Sequence, residues 1–309
     1  MKNSLIQQTF VIGKWGYTMN ISNFLQAPPN VFIFKYAPNW LSTRYLHLLG
    51  LMYYIANREE RSQIERNIMM VFKNSNEAHI IIKKVFDGIF SHYSEKLIMA
   101  YRDLERLERE VRDSIEYTGL EHLDAALEKG GVILVTAHFG AVEFLPLALH
   151  LCHYPVSMVV SFQTERLRET LINRSARGDV ELIDGHAGNV FMQSIDALKR
   201  GRILLTECDE VDAWKTSRDK TIDAFGNKIN LDRSLEILCR RSKADVLGSF
   251  MIRIEKGYRL AIVPVGEEQT IMEEGISAVI LKIFEKFVMM FPDQWYQWKK
   301  FHKMCGENT

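Results

Sequence analysis

The residues best equipped for chemistry are His138 and Glu143, which stand five apart in GGVILVTAHFGAVEFLPLALH, residues 130–150. A histidine changes charge near neutrality and can take or release a proton at either ring nitrogen. A glycine pair, Gly130 and Gly131, leads into an apolar run that ends at Ala137. His138 sits just past that run, and Gly140 permits a tight turn before a helical pattern begins. In open α/β sheets, ligands bind in the crevice at the carboxyl ends of the strands, so position alone makes His138 a candidate base. Glu143 falls in the expected first turn of the helix. A carboxylate there can fold back onto one imidazole nitrogen, fix the tautomer and stabilise the imidazolium. Backbone N–H groups at the helix start would face the same point and could hold an oxyanion. The spacing by itself also suits an ordinary histidine beside a helix-capping carboxylate.

The elements that must position this pair fall into two regions. Over residues 1–116 the pattern is helical: Ile64, Ile68, Val71 and Phe72 recur at helical spacing, as do Ile82, Val85, Phe86, Ile89, Tyr93 and Leu97. Residues 101–116 (YRDLERLEREVRDSIE) read as a solvated, charged helix leading out of that region. Over 117–309 short apolar runs alternate with helical patterns. Strands are expected at 132–136, 156–160, 180–183, 203–206, 245–251 and 258–263. Helices are expected near 141–150, 165–176, 190–200, 231–242 and 273–290, with Asn189 as an N-cap and Gly201 as a stop. This alternation predicts an α/β fold with a mixed, largely parallel sheet flanked by helices, preceded by a helical N-terminal region.

Composition narrows the function classes. Lys and Arg number 39 and Asp and Glu 39, and 47% of the 309 residues are hydrophobic. A neutral balance argues against nucleic acid as a partner, because phosphate binding calls for a basic surface. Cys152, Cys208, Cys239 and Cys305 lie far apart, which fits free thiols in a reducing compartment and neither a disulfide framework nor a metal site. No signal peptide is evident, and the most apolar stretch, 46–55, is shorter than the roughly 20 residues a membrane span needs. A cytoplasmic protein is expected. Trp15, Phe32, Phe34, Tyr36 and Trp40, with Lys35 and Arg44, offer a surface that could rest on the inner face of the cytoplasmic membrane.

The segment HFGAVE after GGVILVTA resembles the H-x4-D/E motif of the lysophospholipid acyltransferase superfamily. More narrowly, the chain resembles the bacterial lipid A biosynthesis (lauroyl/myristoyl) acyltransferase family along nearly its whole length. ERNIMMVF resembles that family's N-terminal region, and Asn173–Arg174 falls where the family has an arginine. LKRGRILLTECDE resembles its segment ending P-D-Q, which sets Asp209 at the aspartate. DAFGNKINLDRSLEILCRRSKADVLGSFMIR resembles its F-F-G block, and FPDQWYQWKKF its P-E-Q-Y-x-W ending. The chain departs from the pattern at Cys208 and Gly248, where prolines are usual, and at Lys299–Lys300, which replace an arginine pair. The family's N-terminal membrane helix is missing or reduced.

The resemblance implies a glycerolipid acyltransferase-like fold. It implies direct transfer of a fatty acyl group from an acyl carrier protein or coenzyme A thioester to a hydroxyl or amine. His138 would be the general base and Glu143 its orienter, with no cofactor or metal. Arg174 would bind a phosphate of the acceptor or of the carrier's phosphopantetheine. Asp209 would position the acceptor or Arg174, Phe225 and Gly226 would shape a loop over the site, and Arg253 would contact substrate from a strand end. Phe139, Val142 and Phe144 are candidates for an acyl slot. The departures leave the acceptor open between a glycolipid and a soluble natural product. They also admit a noncatalytic relative that binds lipid or carrier. Ser161, Ser194 and Ser234 lack the surroundings of a hydrolase nucleophile.

Overall fold

The structure, a computed structural model, describes residues 9–11, 18–20, 27–73, 75–162, 165–176, 179–186, 188–266 and 268–305. Trp15 lies outside the described residues. A short antiparallel pair, β1 (Thr9–Val11) and β2 (Thr18–Asn20), comes first. Then follow α1 (Pro28–Tyr36), α2 (Asn39–Ala56), α3 (Arg58–Val71), the long α4 (Ser75–Tyr101) and α5 (Leu104–Arg112). The charged segment thus contains a helix whose Leu104, Leu107 and Val111 are buried, capped by the Asp103 side chain on Arg106 N, and its last two residues open a strand.

The sheet region contains β3 (Ile115–Thr118), α6 (Leu120–Leu127), β4 (Val132–Thr136), α7 (Leu145–Leu151), β5 (Val156–Val160), α8 (Glu165–Ser175), β6 (Val180–Asp184), α9 (Val190–Lys199) and β7 (Ile203–Glu207). After it come a hairpin, β8 (Thr216–Ala224) and β9 (Asn227–Asp232), then α10 (Ser234–Ser242), β10 (Asp245–Ile254), β11 (Gly257–Pro264), α11 (Glu268–Glu274) and α12 (Ile276–Met290). Seven strands form one sheet in the order β3-β11-β10-β4-β7-β5-β6, and only the β10–β11 pair is antiparallel. This is the mixed, largely parallel sheet flanked by helices that the sequence predicts. All five residues of β4 are buried because helices cover both of its faces, which is why its sequence is a continuous apolar run.

One hydrophobic core runs from Phe34 in α1 through the sheet to Cys305, so the N-terminal helices and the sheet share packing. At its centre lie Trp295, Trp298 and Phe301, all at 0% exposure, from the C-terminal block. β4 and β7 are parallel neighbours with Thr136 opposite Glu207, so the chain leaves both strands at the same edge. That edge carries the site.

A histidine held between two carboxylates

His138 follows β4 by two residues, and the loop behind it is fastened on every side. Phe139 N donates to Ala137 O (2.6 Å), Gly140 N to Gln294 O (2.8 Å) and Ala141 N to Met251 O (2.8 Å), while His138 O accepts from Tyr296 N (3.2 Å). Gly140 has φ +57, and a Cβ there would lie 1.8 Å from Met251 O, so the turn requires glycine. Arg253 braces the same loop. Its Nη2 donates to Gly140 O (2.7 Å), and its Nε and Nη2 grip Glu95 Oε1 and Oε2 at 2.8 and 2.7 Å. Glu95 is 5% exposed. Arg253 therefore holds the backbone of the site, and the substrate contact expected of it is corrected: its fork is filled by Glu95 and Gly140.

The partner of His138 is Asp209. Nδ1 lies 2.9 Å from Asp209 Oδ1, and the backbone N of His138 donates to both Asp209 oxygens at 3.1 Å. Trp295 Nε1 donates to Oδ2 at 2.8 Å. Asp209 is 0% exposed. Burial alone would raise its pKa, but His138 and the Trp295 and backbone donors outweigh that and hold it below the ordinary aspartate value. The role expected of Asp209, contact with the acceptor or Arg174, is corrected to contact with the histidine. On the other ring nitrogen, Nε2 lies 3.3 Å from Glu207 Oε2. Burial pulls the His138 pKa down, yet Glu207 and Asp209 together push it up to about 9.

Glu143 does not pair with His138. It pairs with two α4 side chains, His92 Nε2 at 3.4 Å and Lys96 Nζ at 3.5 Å. The expected fold-back fails because residues 139–141 turn through the Gly140 kink and 142–144 form a 3-10 turn, so Glu143 faces α4. His92 is 1% exposed and its pKa is lowered well below that of a free histidine by burial and by Lys96, His138 and Arg253. Among the described residues its Nδ1 has no hydrogen-bond partner. The Tyr296 ring stacks on His92 (centroids 3.8 Å) and meets His138 edge-on (4.9 Å). The N–H groups of 138, 139, 140 and 141 are committed to Asp209 and to the loop's fastenings, which leaves the start of the 3-10 turn at Val142 as the place for the expected backbone oxyanion donors.

The remaining expected residues separate into cleft and core. His138, Glu143, Glu207, Tyr296 and Arg174 line one cleft of about 2220 Å³. This exceeds the roughly 300–1,000 Å³ of a drug-sized pocket and suits a long or composite substrate. Phe225 and Gly226 form the two-residue turn between Ala224 and Asn227, with φ +54 and +67. Phe225 is 1% exposed and packs on Trp295, Phe284 and Phe301, so it supports the residue that holds Asp209 and makes no loop over the site. Phe139, Val142 and Phe144 are buried core residues. Among the described residues no hydroxyl or thiol bonds to His138, and no cluster of His, Cys, Asp and Glu forms a metal site. Burial raises the Cys208 thiol well above its ordinary value, so it is a poor nucleophile.

The chain that carries this site matches the family model for bacterial lipid A biosynthesis acyltransferases over residues 30–303. The chain belongs to that family. It is similar to a lipid A biosynthesis palmitoleoyltransferase of Escherichia coli (strain K12), 28% identical over 191 residues. It is equally similar to a lipid A biosynthesis acyltransferase of Shigella flexneri, 28% identical over 191 residues. The matched stretch is 61% of this chain and spans 61% of the length of each of these curated relatives. Sequence reading picked out His138 by its place at a strand end. It missed His92, Lys96, Glu207 as a partner and Tyr296. Of these only Glu207, two residues before Asp209, carried a local signal.

Proposed function

We propose that the protein transfers a fatty acyl group from an acyl carrier protein or coenzyme A thioester to a hydroxyl of a lipid acceptor, with His138 as general base and Asp209 as its orienter. The observation that carries this reading is the buried Asp209–His138 pair opening into the cleft. Nε2 takes the proton of the acceptor hydroxyl as its oxygen attacks the thioester carbonyl. The C–S bond then breaks and the departing thiolate receives the proton. Positioned general-base help of this kind contributes roughly 100- to 10,000-fold. The absence of a side-chain nucleophile on His138 among the described residues supports one-step transfer. The developing oxyanion would meet donors of the cleft, where Tyr296 stands edge-on to the histidine and Lys96 stands beside Glu143. Burial, then Glu207, Glu143 and Asp209, raise the Tyr296 pKa, so its hydroxyl keeps its proton. Arg174, on the cleft wall, suits a phosphate of acceptor or carrier.

The lipid character of the acceptor rests on α2. Among its described side chains the exposed ones are Trp40, Leu41, Arg44, Leu48, Leu51, Met52 and Ile55, all apolar except Arg44. Water-facing helices rarely present such a stripe. The first 58 residues carry Lys2, Lys14, Lys35, Arg44 and Arg58 and no Asp or Glu, which suits an anionic lipid surface at the cytoplasmic face of the membrane. Among the described residues no helix is long and apolar enough to cross a membrane, so α2 would lie in the surface. Asn57, which ends α2, lines the cleft, so an acceptor held at that surface lies beside the site.

The test is intact-mass analysis of protein, donor thioesters and acceptors (glycolipids in mixed micelles, and soluble alcohols and amines), run beside His138→Ala. Transfer to glycolipid that needs His138, with the protein never acylated, supports the reading. A stable acyl-protein overturns the one-step mechanism, and transfer only to soluble acceptors overturns the lipid acceptor.

A further inference from the structure

Each cleft carboxylate near His138 has a fixed counter-charge or donor, except one. Glu143 has Lys96 and Glu210 has Lys300 at 3.4 Å, while Asp209, buried behind the cleft, has Trp295 and a backbone N–H. Glu207 has the catalytic imidazole alone among the described residues: its one ion pair there is the 3.3 Å contact with His138 Nε2. Its carboxylate is one-third exposed in the cleft. It also stands where the acceptor oxygen must arrive, because a general base needs the reacting proton within about 3 Å of the nitrogen that takes it. Both ring nitrogens of His138 thus face carboxylates, an arrangement that suits an imidazolium with no free lone pair.

We propose that Glu207 is a lock on the catalytic base: in the empty cleft it keeps the proton on Nε2 of His138, and only acceptor binding releases it. This rests on the acyl-transfer reading above. The release follows from dielectric. An ion pair is favoured while water reaches Glu207, whereas a bound acceptor that excludes that water favours the uncharged pair. One proton then moves from Nε2 to the Glu207 carboxyl, leaving a neutral imidazole beside a neutral acid, with no change in total charge. The carboxyl is suited to receive it, since burial pushes its pKa up to about 7 against the opposing pull of His138. The other groups facing the pair are Asp209 and Glu210 beyond β7, Glu143 on its 3-10 turn, His92 and Lys96 on α4, and Tyr296. The consequence is chemical: a thioester waiting in the cleft is not exposed to an active base that would hand it to water. Hydrolysis would form a C–O bond from water and break the C–S bond, with His138 carrying the proton from water to the thiolate.

The experiment uses the full chain, with Glu207→Gln as an isosteric variant and Glu207→Ser as a second in case the first folds poorly. The titration of His138 is followed by NMR with labelled histidine, and acceptor-free cleavage of acyl carrier protein and coenzyme A thioesters is followed by thiol release. The expected result is a His138 midpoint at least about one unit lower in either variant. Acceptor-free cleavage at pH 7 should be about tenfold faster, and the gain should vanish when His138→Ala is added. An unmoved midpoint in a folded variant overturns the proposal. So does a lowered midpoint with slower cleavage, which would make Glu207 a helper of the base. Cleavage by no variant would sink the thioester reading, while the midpoint still decides whether Glu207 holds the proton.

Discussion

Replacing Asp209 with Asn separates the geometry seen here from the spacing argument that favours Glu143. The substitution keeps volume and removes a charge at a site with 0% exposure. Asp209 accepts from His138 Nδ1, from the His138 backbone N and from Trp295 Nε1. An amide has one acceptor oxygen, so it can satisfy Trp295 and the backbone only by turning its NH2 toward Nδ1. That forces Nδ1 to accept and moves the ring proton to Nε2, the nitrogen that must be free to act as base. The comparable wrong-tautomer change in a serine protease triad costs about 10^4 in kcat. Here the expected loss is about 10^3–10^4, or about 4–5 kcal/mol of transition-state stabilisation. Single-turnover transfer from an acyl carrier protein thioester, with circular dichroism to verify folding, measures it. Glu143→Gln removes a charge from His92 and Lys96 and leaves His138 and Asp209 in place, so its loss should be at least tenfold smaller. A reversed order, with the Asp209 variant within tenfold of wild type and the Glu143 variant down about a thousandfold, would refute the reasoning.

Other consequences follow from the same contacts. Arg253→Ala leaves Glu95 buried without its cation and Gly140 O without a donor, so denaturant unfolding should show a loss of about 3–5 kcal/mol. His138 has a raised folded pKa, so its stabilising contribution is fully present below the free value of 6.5 and is lost as pH rises through about 9. Between those limits wild type should lose at most about 3 kcal/mol relative to His138→Gln, measured by urea titration across that window. If α2 rests on anionic lipid, Leu48→Glu with Met52→Glu should cut co-sedimentation with phosphatidylglycerol vesicles at least about tenfold while leaving the helical circular dichroism intact. Unchanged co-sedimentation would remove the argument for a lipid acceptor.

The sheet was legible where burial makes the sequence monotonous. β4 and β5 begin and end at the expected residues because apolar runs there meet Gly, Pro and polar boundaries. The hairpin β8–β9 was not legible. TSRDKTIDA alternates weakly, and a Phe–Gly pair with two positive φ angles is an uncommon hairpin turn. β3 was hidden at the end of a charged stretch, where its exposed Glu116 pairs across the edge with Arg259.

His138 could be found because strand ends are local features, and Asp209 was within reach as a residue of interest. Their contact was not, because they stand 71 positions apart with three strands, β5, β6 and β7, between them, and only the insertion of β7 beside β4 closes the distance. Glu143 misled for the opposite reason. Five residues of separation suggest contact only if the intervening backbone is a regular helical turn, and a glycine forced to φ +57 by Met251 O breaks that premise. The same kink explains why stability and chemistry share residues here. Turning the loop this way directs its N–H groups into Gln294 and Met251 and aligns Trp295 on Asp209. The packing of Phe225 and Trp295 that reads as ordinary core is therefore part of what sets the proton position on His138. Substitutions in that core should move the pH profile before they move the melting temperature, since a small shift of Trp295 weakens a hydrogen bond to Asp209 while leaving most of the buried area in place.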